Sequence, residues 1–162
     1  MNRRTLTTMA LLCLGIIFAT ALPKMAVAQS NTVGMWNLNL AKSTFSPGPP
    51  PRSQTLNRQA EGQSLRVNSE VIDAQGNSVK AILGPLFYDG KSYPVTGTPD
   101  YDASSYKQIN GSTVEITRTK AGKTVQMVTQ ILSADGKTLT FTTTGINASG
   151  QQINNVAVYD KQ

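Results

Sequence analysis

The side chains available for chemistry in this 162-residue chain are carboxylates, tyrosines, lysines and arginines, because it has no histidine and one cysteine. Without an imidazole there is no Ser-His-Asp or Cys-His nucleophile and no His-bearing metal site. A glycosidase-type pair needs two carboxyls facing each other across a cleft. Glu70, Asp73 and Glu115 are the candidates, but Glu70 and Glu115 alternate with apolar neighbours and are expected to face water. Asp100-Tyr101-Asp102-Ala103-Ser104 begins like a calcium loop, yet Ser105 and Gly111 stand where an EF-hand needs Gly and Glu. The chain is therefore read as a non-enzyme with no metal and no cofactor.

Recognition chemistry is better supplied than catalysis. Residues 84–106 hold Phe87, Tyr88, Tyr93, Tyr101 and Tyr106, five of the nine aromatics that follow residue 28. Tyrosine joins a broad apolar face to a polar tip and so suits sugars or amphipathic molecules. The competing reading, which we weight more heavily, is that these rings cover the mouth and one edge of a core.

Residues 1–28 form a unit of their own. Arg3 and Arg4 precede an apolar stretch of thirteen residues, Ala10 to Leu22; Pro23 ends it, and Ala26-Val27-Ala28 follows. That is the three-part pattern of a secretory signal peptide, with cleavage expected after Ala28. A membrane-spanning helix needs roughly 20 apolar residues. Cys13 lies inside the apolar stretch after Leu11-Leu12, which is not the setting of a lipid-modified cysteine. Cleavage would leave 134 residues with no cysteine and no stable membrane anchor, secreted or periplasmic. It would also leave twelve basic against nine acidic residues, a net of +3 without any run of like charge. Such a mild balance offers nucleic acid no footprint.

The elements that must position the remaining candidates are strands. Hydrophobic residues recur with a period of two: Trp36-Leu38-Leu40, Leu65-Val67-Val71, Val79-Ala81-Leu83, Val114-Ile116, Val125-Met127-Ile131, Leu139-Phe141 and Val156-Val158. Turn dipeptides end the runs at Glu61-Gly62, Gln75-Gly76, Asp89-Gly90, Asn110-Gly111, Ala121-Gly122, Asp135-Gly136 and Ser149-Gly150. Glycine there supplies the positive φ of tight hairpins, so successive strands should pair as neighbours. Spacing this close leaves no room for crossover helices. The expected fold over residues 29–162 is all-β: a single antiparallel meander of about nine or ten strands, with no significant helix. Closure into a barrel removes the exposed edges; a sandwich is the rival. The second face, rich in Thr, Asn, Gln and Ser, is either the solvent face or a hydrated lumen.

The ends of the chain resemble a known family. Gly34-Met35-Trp36-Asn37-Leu38 resembles the Gly-x-Trp opening of the calycins, the lipocalins and fatty-acid-binding proteins. Asp135-Gly136-Lys137-Thr138-Leu139-Thr140 and Val158-Tyr159-Asp160-Lys161 resemble the late hairpin and last strand of the fatty-acid-binding branch. The chain also looks like small secreted bacterial proteins that share the opening, the Tyr93–Gly97 segment and the ending. The resemblance implies a calycin-like barrel and gives Gly34 and Trp36 a structural role, Trp36 plugging the base. It departs from the family in two places. Fatty-acid-binding proteins carry an Arg two residues before the last-strand Tyr, where this chain has Ala157, and their helical lid is replaced by residues 41–53, a segment with four prolines. The Arg that lipocalins pack on the opening Trp has Lys161 and Arg58 as its candidate replacements.

Two functions are consistent with these features. One is a secreted or periplasmic binding protein holding a small apolar or amphipathic ligand in the barrel, with Trp36, Phe87, Tyr88, Tyr93, Phe141 and Tyr159 as ligand contacts. The other is a cell-envelope structural or protein-interaction module with a filled core.

Overall fold

The computed structural model describes residues 31–162; the expected signal peptide, residues 1–28, lies outside them. Ten strands follow one another: β1 (Gly34–Leu38), β2 (Ser53–Glu61), β3 (Ser64–Ile72), β4 (Ser78–Leu86), β5 (Asp89–Thr96), β6 (Ala103–Gln108), β7 (Thr113–Lys120), β8 (Lys123–Leu132), β9 (Thr138–Ile146) and β10 (Gln152–Lys161). Each pairs antiparallel with the next, and β10 returns to β1, placing Lys161 opposite Trp36 and Tyr159 opposite Leu38. This last pairing decides between the two expected architectures. The meander closes into a barrel with no free edge, so the sandwich is excluded and the count is ten.

Turn chemistry located the connections well. Six of the seven glycine dipeptides, those ending at Gly62, Gly76, Gly111, Gly122, Gly136 and Gly150, lie in hairpins, and Asp89-Gly90 lies at the entry to β5. The long connection from β1 to β2 holds one 3-10 turn, Leu40–Lys42, capped by Asn39, whose side chain accepts from the Lys42 amide at 3.2 Å. Thr44 then exchanges two backbone bonds with Val156, at 2.8 and 2.7 Å, and the Asn154 amide donates to the Ser46 carbonyl. The proline-bearing segment is thus stitched along β10 and prolongs the barrel seam; it forms no helical lid.

Alternation located most strands but misjudged the faces of two. In β10 it is Ala157 and Tyr159, not Val156 and Val158, that line the interior. In β8 the apolar run Val125-Met127-Ile131 suggests the core side. Met127 and Ile131 instead face outward, 40% and 45% exposed, while Gln126 and Gln130 point inward at 3% and 1%. Register forces this: Gln126 sits opposite Arg118 and Gly145, and Gln130 opposite Val114 and Phe141, all on the inner face. Gly145 is needed at that crossing. Its φ is +138°, and a Cβ there would run into the Val125 carbonyl.

The barrel is packed solid at one end. Trp36, Leu65, Leu86, Ile116, Val128 and Leu139 are completely or almost completely buried there. The indole Nε1 of Trp36 donates to the Thr32 carbonyl at 2.9 Å. Of the two candidate partners for its ring, Lys161 is the one that lies over it, Nζ 5.3 Å from the centroid. Gly34 keeps that path uncrowded, since a Cβ at Gly34 would stand 3.1 Å from Lys161 Cε.

Candidate functional site

The other half of the barrel is not filled. Inward positions of β2, β3 and β4 approach the β3–β4 hairpin with small or branched residues (Ser69, Val71, Val79, Ala81), and β10 contributes Asn155 and Ala157. Short side chains there leave a cavity of about 260 Å³, open toward the end of the barrel that carries the β3–β4, β5–β6, β7–β8 and β9–β10 connections. This is slightly below the usual range for ligand pockets, about 300–1,000 Å³, so it suits a compact molecule. Ala157 lies on its wall. Its short side chain helps to leave the space open.

Polar groups on the wall are tied to one another across strands. The Tyr159 hydroxyl donates to Gln54 Oε1 at 2.8 Å, and Gln54 Nε2 donates to Ser69 Oγ at 3.0 Å, linking β10, β2 and β3. Arg118 of β7 donates through Nη1 to Gln126 Oε1 at 2.8 Å, and Gln126 Nε2 in turn donates to the Ile146 carbonyl at 3.1 Å. The Arg118 guanidinium lies 4.5 Å from the centroid of the Tyr101 ring. Deeper in the barrel Arg58, 2% exposed, donates through Nη2 to Thr32 Oγ1 at 3.2 Å and to the Tyr88 hydroxyl at 3.1 Å. Burial pushes the Tyr106 phenol up to about 12 and raises Tyr159 as well, so both are neutral near pH 7.

The six aromatic side chains expected to contact a ligand do not converge. Phe141 and Tyr159 line the cavity and pack edge to face, centroids 5.5 Å apart. Trp36 and Tyr88 are buried away from its wall; Tyr88 meets Tyr106 edge-on at 6.1 Å. Phe87 and Tyr93 are half-buried and pack on each other at 5.4 Å, and the Tyr93 hydroxyl donates to Asp89 Oδ2 at 2.9 Å. The acids of the would-be calcium loop fasten turns: Asp100 Oδ1 accepts from the Ala148 amide at 2.7 Å and Asp102 Oδ2 from the Ala121 amide at 2.9 Å. No group of three metal-ligating side chains occurs among the described residues.

Comparison with known proteins adds little to this geometry. No family model matches the chain, and no curated protein matches it in sequence. Among solved structures, zebrafish ileal bile acid-binding protein complexed with cholic acid aligns at a TM-score of 0.47 and 12% identity, over 82% of this chain and 99% of that one. A redesigned β-barrel, mFAP0, bound to DFHBI, aligns at 0.40 and 11%, over 81% and 99%. The fold rests on the strand pairing itself.

Arg118, Gln126, Gln54 and Tyr101 are wall residues that the list of aromatic contacts omits. Arg118 had a readable signal: it continues the inward phase of Val114 and Ile116. Gln54 had none, because the inward positions of β2 read Gln54, Leu56, Arg58, a face with no consistent apolar character.

Proposed function

We propose that the chain is an exported, non-catalytic binding protein that holds a small amphipathic molecule in the open half of its barrel. The observation that carries this reading is the cavity, whose wall joins apolar side chains (Leu56, Val67, Leu83, Phe141) to fixed polar ones. A module with a filled core, the competing reading, has no use for such an opening. The lack of histidine, and of cysteine after Cys13, supports a role without nucleophilic chemistry. Export rests on the pattern of residues 1–28. Native mass spectrometry of protein purified from its own host tests both parts. The expected result is a mature chain beginning at Gln29 together with a mass adduct that denaturation releases. A bare 134-residue mass, with a cavity filled by side chains in solution, would overturn the binding reading. A chain still carrying residues 1–28 would overturn export.

A further inference from the structure

We infer that the cavity selects a compact organic anion, with Arg118 as the residue that receives its carboxylate; this rests on the binding reading above. Three charged side chains line the cavity: Arg58, Arg118 and Asp100. An arginine is always charged, and taking it out of water is costly unless another charge answers it. Among the described residues the ion pairs are Lys42–Asp160, Arg66–Glu61, Lys80–Glu70 and Lys91–Asp89, so neither lining arginine has a carboxylate within reach. Asp100 does not serve as one, its Oδ1 being engaged by the Ala148 amide. The cavity is left with two cations facing one carboxylate.

The two arginines are not equivalent. Arg58 is bound at the packed end, where its Nη2 holds Thr32 and Tyr88 together. Both are held by neutral partners and both leave Nε without one, but Arg58 is 2% exposed whereas Arg118 is half-buried at the open end. Gln126 fixes Nη1, the Tyr101 face supports the guanidinium plane, and Nε has no hydrogen-bond partner. Its orientation is set while its charge is unanswered. Such a guanidinium is preorganised for a carboxylate, because its conformational freedom has already been lost before binding. The cation stands on β7, and both it and Ala157 of β10 line the cavity. The small volume selects against long chains and toward a one- or two-ring acid.

The test compares 2-naphthoate with its neutral isostere 2-naphthamide by calorimetry on the mature protein and on Arg118→Gln. The expected result is an acid-over-amide preference of about tenfold or more in the parent. That preference should vanish in R118Q, with unchanged Trp36 emission as the control for an intact barrel. Equal binding of acid and amide to the parent, or an acid preference that survives in R118Q, overturns the assignment and leaves the binding reading standing. Binding of neither probe overturns both. If R118Q loses the amide as well, Arg118→Met replaces it, and an acid preference retained in that variant overturns the assignment.

Discussion

Lys161 passes over the ring of Trp36 close beside Gly34, where a Cβ would stand 3.1 Å from its Cε. The opening Gly-x-Trp is thus one half of a closure device. The other half is the penultimate residue of the chain, and the two ends of the meander are held where β1 meets β10. The lysine's aliphatic stem covers the aromatic face while its ammonium stays at the surface.

Substitution at either end of this contact should loosen the barrel seam. Gly34 has φ +131°, so Gly34→Ala combines backbone strain with displacement of Lys161 and should cost roughly 2–3 kcal/mol. Lys161→Ala should cost less, about 0.5–1 kcal/mol. Trp36 is the only tryptophan, so its emission reads the site directly. We expect blue-shifted emission and weak acrylamide quenching in the parent, with stronger quenching in both variants and a lower urea midpoint. Unchanged quenching would show that Lys161 does not cover the ring.

Alkaline pH should destabilise the fold through the buried phenols. Tyr106 is held up to about 12 by burial and Tyr159 is raised too, whereas a tyrosine in the unfolded chain ionises near about 10. The unfolded state therefore loses protons first. The stabilisation is complete below about pH 10 and is lost as pH rises through the folded values. An absorbance titration at tyrosinate wavelengths should show Tyr106 and Tyr159 ionising late and together with unfolding. Tyr106→Phe should reduce the steepness of that loss.

Filling the cavity should separate stability from binding. Ala157 is buried on the cavity wall, and Ala157→Leu adds three carbons where space already exists. Burying them is worth up to about 2 kcal/mol, less any strain of fitting. The melting temperature should hold or rise while 2-naphthamide affinity falls by about tenfold or more. A large fall in melting temperature would mean that the cavity is narrower than its walls suggest.

Strands and turns could be read from the chain to very different degrees. Where a strand's inward face is apolar, as in β3, β7 and β9, period-two alternation marked it. Where the inward face is mixed, as in β2 with Gln54 and Arg58 or β6 with Ser104 and Gln108, no alternation of hydropathy exists to be seen. Hairpin glycines at 62, 76, 122, 136 and 150 were legible because positive φ is a local demand that the residue type itself satisfies; Gly111 turns without it. The aromatic residues could not be sorted between core and lumen for a related reason. An aromatic side chain has the same composition signal whether it packs into the core, as Tyr88 does, or borders a lumen, as Phe141 does.

By itself the amino-acid sequence determined which chemistries are absent, where the chain turns, and that the sheet is a meander. These are local properties: residue inventory, backbone freedom and a two-residue period. Tertiary structure alone decided closure, because Trp36 opposite Lys161 joins residues at the two ends of the described chain. It also decided which face of β8 looks inward, since alternation supplies two faces and only register against β7 and β9 chooses between them. The same register sets Arg118 beside Gln126, and the β5–β6 connection brings the Tyr101 ring to its guanidinium, leaving an oriented cation with no carboxylate in ion-pair contact.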